Sequence, residues 1–389
     1  MPVPVLPDPP ESSPPESSPP EVIVVGAGVA GLGVAWRLAE AGVRVLVLDR
    51  GAAGRGATWA AAGMLAPAAE LGFEELDLYA LSQESLARWP GFAADLRAAT
   101  GVDVGLRTEG TLVVADDRDS LAALRRLFAF QTAQGAPVAW LSGEAAREAE
   151  PLLSPRVPGA VWSPDDHQVD NRALAGALVA AVRVAGGEIR EHAAVASVVP
   201  DADRPAVVLA SGERIAARAV VLAAGAWSRG VGGLAPVPVR PVKGQMLSLA
   251  MTDAVRLGVT VRGPRAYLVP KPDGRLVVGA TSEERGYDAA VTAGGLFRVL
   301  DGALRVVPGV EELDVVETWA ALRPASRDHA PLLGRTAAPG VVAATGHYRH
   351  GVLLAPVTAD EVAADVRALL AGSGETRPRL APFSPLRFP

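Results

Sequence analysis

Residues 22–49, VIVVGAGVAGLGVAWRLAEAGVRVLVLD, decide the fold of this chain. Val22-Ile23-Val24-Val25 is a short β-branched run, suited to a strand buried on both faces. Gly26-Ala27-Gly28-Val29-Ala30-Gly31 is a glycine turn. Leu32 to Ala41 has helical spacing, and Val43 to Leu48 is a second β run ending in Asp49. Strand, glycine turn, helix, strand and acid together make a βαβ unit with the dinucleotide fingerprint in its required context. Gly26 permits the tight turn, Gly28 lets backbone approach a pyrophosphate, and Gly31 lets the helix pack on the strand. The helix start offers free N–H groups and partial positive charge to phosphates. Asp49 is placed to accept hydrogen bonds from an adenosine ribose, and an acid there argues against a 2′-phosphate. The fingerprint by itself does not separate NAD from FAD.

Around this unit, composition excludes several classes of function. The chain has 389 residues, 49% of them hydrophobic, and a net charge of −6, with no run of five or more like charges. A nucleic-acid groove is not expected from such a balance. Cysteine is absent, which rules out disulfides, thiolate metal sites, a cysteine nucleophile and a cysteinyl flavin link. A cytoplasmic location is expected. Lysine occurs only at Lys243 and Lys271. Residues 1–20 carry PPESS at 9–13 and again at 14–18, without an apolar core or basic residues. This arm is expected to be disordered and is not a secretory signal. The run from Val22 is too short to span a membrane.

Downstream, the spacing predicts one or two amphipathic helices over 70–100 and further helices over 120–135, 142–151, 171–185, 292–307 and 356–371. Strand-rich sequence with hairpin turns lies between them, notably Ser211-Gly212-Glu213 and Pro272-Asp273-Gly274. The expected fold class is α/β: a doubly wound dinucleotide domain assembled from separated pieces, 21–75, 152–235 and 316–372, with an antiparallel-sheet substrate domain, 76–151 and 236–315, interleaved. Residues 373–389 form a proline-rich tail expected to drape over the surface. Two further segments can bring backbone against a flat ligand: the small-residue stretch ending in Ala61-Ala62-Gly63-Met64, and the glycine turn at Gly225 in AVVLAAGAWS.

No GxSxG elbow, HExxH or P-loop occurs, and the five histidines are scattered, so neither a nucleophile elbow nor a metal set is expected. Chemistry falls to a bound cofactor, which the protein orients. Three polar side chains stand in apolar or glycine-rich settings: Tyr267 at the start of YLVPK, Arg323 in WAALRP and Arg349 in GHYRHG. An arginine fork holds a carboxylate in fixed orientation, and a tyrosine hydroxyl can add a contact. A structural ion pair is the competing role for each arginine.

Many motifs in order carry a family resemblance: AAAGMLAPAAE, VDNRAL, AVVLAAGAWS, PVKGQML, YLVPKPDGRLVVGAT, WAALRPASRDHAPLLG, GHYRHGVLLAP and FSPLRF. From Val22 to the C-terminus the chain resembles the D-amino acid oxidase and sarcosine oxidase superfamily of FAD enzymes, and within it the glycine oxidase branch of bacterial thiamine biosynthesis. The resemblance implies FAD rather than NAD, bound non-covalently. Gly26, Gly28, Gly31 and Asp49 would hold its ADP half, with Val195 near the adenine. Ala61, Ala62, Gly63 and Met64, with Gly346, His347, His350, Gly351, Val352 and Leu353, would line the flavin ring. Arg323 would pair with the substrate carboxylate, Tyr267 would hydrogen-bond it, and Arg349 would border the pocket. His350 stands where the family usually has asparagine.

The implied activity is oxidative deamination of glycine, or of a related small amine such as sarcosine or a small D-amino acid. Its products would be the 2-oxo acid, ammonia and hydrogen peroxide, with molecular oxygen as acceptor and the glycine imine serving thiazole synthesis. No residue is expected as acid or base. A homo-oligomer, a tetramer by resemblance, is implied. The alternatives are a sarcosine or D-amino acid oxidase, a quinone-linked D-amino acid dehydrogenase and, more remotely, a tRNA-modifying flavin domain.

Overall fold

Val22–Val25 (β1) lies at the centre of a six-stranded sheet, and its neighbours are Val45–Leu48 (β2) on one side and Ala219–Leu222 on the other, both parallel. Glu188–Arg190 extends the sheet beyond β2, and Val341–Thr345 beyond Ala219–Leu222. Leu332–Arg335 closes that edge as the one antiparallel member. The structure, a computed structural model, describes residues 19–73, 75–374 and 377–388. Residues 1–18 of the expected disordered arm lie outside the described residues.

The alternation of side chains along these strands explains their unbroken apolar runs. Val22, Val24, Val45, Val47, Ala219 and Val221 point to one face, where they pack with the helices Val29–Glu40 (α1), Asn171–Val184 and Ala355–Leu370. Ile23, Val25, Leu46, Leu48, Val220 and Leu222 point to the other. A three-stranded antiparallel sheet, Val195–Val199, Ala206–Leu209 and Arg214–Ala216, covers that second face. Every β1 and β2 side chain is therefore buried whichever way it points.

A second sheet has eight strands, in the order Val315–Ala325, Arg240–Ala250, Arg275–Gly279, Tyr267–Pro270, Thr260–Arg262, Thr111–Val114, Gly159–Ser163 and Ala139–Ser142. All neighbours are antiparallel except Thr260–Arg262 with Thr111–Val114. The hairpin expected at Pro272-Asp273-Gly274 forms between Tyr267–Pro270 and Arg275–Gly279. Two strands cross the expected domain boundaries. Gly159–Ser163 and Val315–Ala325 were expected in the dinucleotide domain, but both pair within this larger sheet. Val315–Ala325 pairs with Arg240–Ala250 along almost its whole length, so Arg323 sits inside the strand and not at its end.

The helix expected over 70–100 is one unbroken element, Leu76–Thr100, with Pro90 inside it. The tail does more than drape. Leu380 and Phe383 are buried in the helical core, and Arg387 pairs with Asp328 at 2.8 Å. Apolar residues at the right spacing in a proline-rich stretch are enough to dock it.

Candidate active site

A cavity of about 930 Å³ opens between the two sheets, near the upper end of the range for small-molecule sites. The carboxyl ends of β1 and β2 supply Gly26, Gly28 and Asp49 to its wall. Gly26 has φ +109°, and a Cβ there would press on the Ala223 backbone. A Cβ on Gly31 would overlap the Gly26 carbonyl oxygen. Gly28 differs: a Cβ there would touch only Thr58 Oγ1, at 3.5 Å, which leaves the backbone open to the cavity. Val29 N–H donates to Thr58 Oγ1 at 2.9 Å, and Ala30 lines the cavity at the start of α1. The Asp49 carboxylate accepts from Ala27 N–H at 2.7 Å and from Gly51 N–H at 2.8 Å. Two bonds leave a carboxylate with further lone-pair capacity.

The next wall is Ala60 to Met64. Asn171, from the VDNRAL motif, donates to the carbonyls of Thr58 and Trp59, both at 2.9 Å. Trp319 Nε1 donates to the Ala60 carbonyl at 3.0 Å. Buried Lys271 donates to the Ala62 carbonyl at 2.6 Å, the Val169 carbonyl at 2.8 Å and Gln168 Oε1 at 3.1 Å. Three acceptors match the three donors of an ammonium, while burial pulls the Lys271 pKa down to about 7. Gly63, at φ +77°, has no room for a side chain against the Val169 carbonyl. This loop is therefore fixed from several sides with its backbone facing the cavity.

At the far end the eight-stranded sheet presents side chains. The Tyr267 ring lies over Gly279, where a Cβ would come within 2.6 Å of the hydroxyl. The Arg323 guanidinium lies over Gly244 in the same manner. Glycine inside a strand often marks such a close approach. Arg323 Nη1 donates to the Thr281 carbonyl at 3.1 Å. Among the described residues no carboxylate lies within 4.0 Å of Arg323. Burial pushes the Tyr267 phenol up against the pull of the Arg323 charge, so the hydroxyl stays protonated and can donate.

Beside these, Glu70 hydrogen-bonds Arg262, and its Oε2 lies 3.6 Å from Nε of the more exposed Arg349. Burial acts to raise the Glu70 carboxyl, but Arg262, Arg349 and His350 outweigh it and hold it at about 2. Buried Asp166 accepts from Ala68 and Ala69 N–H at 3.0 and 2.8 Å, fixing the turn that carries Glu70, and burial lifts its pKa to about 7.

Tyr267, Arg323, Arg349, Gly26, Gly28, Asp49, Ala61, Ala62, Gly63, Met64, Val195, Gly225, His347, Gly351 and Val352 all line this one cavity. Gly31 acts from behind, by allowing the helix onto the turn. Gly346, His350 and Leu353 do not line it. Gly346 turns at φ +76° against Leu332 and Ser326. His350 faces the helix Leu76–Thr100 with Leu78 and Tyr79, beyond Glu70. Leu353 is buried in the helical core, where its carbonyl accepts from Ser85 Oγ and Trp89 Nε1. Alternation of direction through this tight turn puts some of its residues behind the wall. His347 is buried with Nε2 3.0 Å from Thr358 Oγ1, and burial holds both His347 and His350 at about 4, so both are neutral at neutral pH. Sequence reasoning missed Glu70, Arg262, Gly244 and Gly279. Gly244 within its strand and Gly279 at the end of its strand were visible signals, whereas nothing in sequence links Glu70 to Arg262.

Residues 21–365 match the family described as DAO, FAD dependent oxidoreductase. The chain belongs to this family. A glycine oxidase from Geobacillus kaustophilus is 36% identical over 356 residues, 90% of this chain and 92% of that protein. The crystal structure of the glycine oxidase from that organism superposes with TM-score 0.87 over 95% of this chain and 99% of that one. A bifunctional protein ThiO/ThiG from Trichormus variabilis is 35% identical over 85% of this chain and 50% of its own length. The structure of an iminodiacetate oxidase from Chelativorans sp. BNC1 matches with TM-score 0.82 at 28% identity, over 94% of this chain and 98% of that one.

The cavity fits the family's cofactor. It offers an open glycine backbone and a helix start for the pyrophosphate, a carboxylate with spare capacity for the ribose, and a fixed small-residue loop for a flat ring. The chain is an FAD-dependent oxidoreductase. No described helix is long and apolar enough to cross a membrane.

Proposed function

We propose that this chain oxidises glycine, or an equally small amine acid, to the 2-oxo acid and ammonia, with molecular oxygen as acceptor and hydrogen peroxide as product. The observation that carries this reading is Arg323, a cavity-lining guanidinium bonded to a carbonyl and lacking a carboxylate partner among the described residues. A half-buried fork in that state suits a ligand carboxylate. FAD, when bound, supplies the two-electron acceptor. Gly26, Gly28, Gly31, Asp49 and Val195 would hold its ADP half. Ala61 to Met64, Gly225, His347, Gly351 and Val352 would border its ring. Arg323 fixes the substrate carboxylate, the protonated Tyr267 hydroxyl donates to it, and Arg349 closes the rim. No residue in the cavity is assigned as a base, because the substrate amine enters the reaction with its own lone pair.

The names of the relatives support oxygen as acceptor and glycine as substrate, and the ThiO/ThiG likeness supports a role in supplying the glycine imine for thiamine thiazole synthesis. The test is a purified yellow protein assayed for peroxide with glycine, sarcosine, D-alanine and D-proline. Glycine should give peroxide at a rate comparable to or above the others. Turnover of D-proline or D-alanine alone would replace glycine in this reading, and flavin reduction without peroxide would replace oxygen.

A further inference from the structure

The substrate end of the cavity carries more positive charge than one small amino acid needs. Arg262, Arg265, Arg323 and Arg349 all line it, Arg265 paired with Asp301 at 3.2 Å, and Glu70 is the one carboxylate among the lining residues at that end. Arg262 stands opposite Tyr267 in the sheet register, so it faces the same space as the proposed substrate site. Glu70 binds Arg262 through Oε1 and approaches Arg349 through Oε2, at 3.6 Å. Its backbone is fixed by Asp166, which holds Ala68 and Ala69. The side chain thus sits as a built-in carboxylate on Arg262 and Arg349, Arg265 has Asp301, and Arg323 is left for a ligand.

We propose that Glu70 is a specificity-determining residue, which restricts the site to substrates with one anionic group by occupying the Arg262–Arg349 pair. This rests on the reading that Arg323 takes the substrate carboxylate. A substrate with a second carboxylate would have to place it beside Glu70, where like charges repel at short range. With Glu70 neutral, the pair becomes a second carboxylate subsite. The substrate class gained is the dicarboxylic amines, such as iminodiacetate, which is glycine bearing a second carboxymethyl arm. Geometry makes the exchange direct, since Arg262 would trade an internal carboxylate for an external one.

The test uses the purified holoenzyme and the flavin absorbance as a binding signal, with malonate and acetate as probes. In E70Q, the preference for malonate over acetate should rise at least tenfold over the unmodified protein, and the ratio of kcat/KM for iminodiacetate to that for glycine should rise by a similar factor. E70D keeps the charge and should stay close to the original preference, which a merely structural role would not predict. R262M should move the other way, lowering the malonate preference at least threefold, and it carries the test if E70Q does not fold. A malonate preference unchanged within twofold in E70Q, or in R262M where that variant stands in, overturns the proposal. Parallel changes for iminodiacetate and glycine overturn it as well. Failure of the parent reading looks different: the unmodified protein would neither turn over glycine nor bind acetate.

Discussion

At the glycine end of the cavity much of the wall is backbone from one contiguous stretch, Gly26 to Ala30, with Asp49 beside it. At the Tyr267 end they are side chains, brought together from segments far apart in sequence: Glu70, Arg262, Tyr267, Arg323 and Arg349. A backbone site depends on conformations and close approaches that glycine permits, so its chemistry is written as a spacing. A side-chain site depends on which strands lie side by side, so its chemistry appears only when the sheet has formed. The first end can be shared by many enzymes that use the same cofactor. The second is where one substrate is distinguished from another.

Gly31→Val strikes the first end hardest. The new side chain would drive into the Gly26 carbonyl and the Ala223 methyl, separating α1 from β1. We expect protein that purifies colourless or insoluble, read from the flavin absorbance per mole of chain. Yellow protein with ordinary FAD content would break the contrast between the two ends.

Arg323→Ala strikes the second end and should leave FAD in place. Losing the partner of a bound carboxylate should cost about 2–5 kcal/mol of transition-state stabilisation, measured as kcat/KM for glycine. Gly244→Ala sharpens the same point without touching a charge. Its methyl would occupy the space of the Arg323 guanidinium. A fall in kcat/KM of roughly tenfold to a hundredfold, for about 1.4 kcal/mol per decade, is expected with FAD content unchanged.

The smallest effect concerns the loop that joins the ends. Burial holds His347 and His350 at about 4, against an ordinary 6.5. Between those values the unfolded chain binds protons that the folded chain does not. The contribution of the two histidines is thus fully present above pH 6.5 and declines as pH falls toward 4, opposed in part by Asp166, whose raised carboxyl binds a proton in the folded chain over the same window. The melting temperature should drop by a few degrees across that window, and His350→Asn should flatten the slope. A slope unchanged by that substitution would show that His350 contributes little to it.

Much of the fold was legible because its demands are local. The βαβ unit, the hairpin at Pro272-Asp273-Gly274, and the helices with side-chain caps at Ser142, Asp170 and Thr292 follow from short-range preferences. Gly159–Ser163 and Val315–Ala325 were misassigned because a strand's apolar pattern says that it is buried but not in which sheet. Within the site, Tyr267, Arg323 and Arg349 could be picked out as polar residues in apolar surroundings. Glu70 could not, since its partner Arg262 arrives from a strand nearly two hundred residues away. Gly346, His350 and Leu353 were expected at the cavity wall because the loop as a whole borders it. Residue-by-residue direction in such a turn is a matter of φ and ψ that composition does not encode.

In the proposed reading one cavity holds FAD at its backbone end and a small amino acid on Arg323 at its side-chain end. Anaerobic addition of glycine to the purified yellow protein tests it most directly. The flavin absorbance should bleach stoichiometrically in the unmodified protein. Arg323→Ala, with the same FAD content, should bleach at least tenfold more slowly at equal glycine concentration. An unmodified protein that stays yellow under glycine, or an Arg323→Ala variant that bleaches at the same rate, would contradict it.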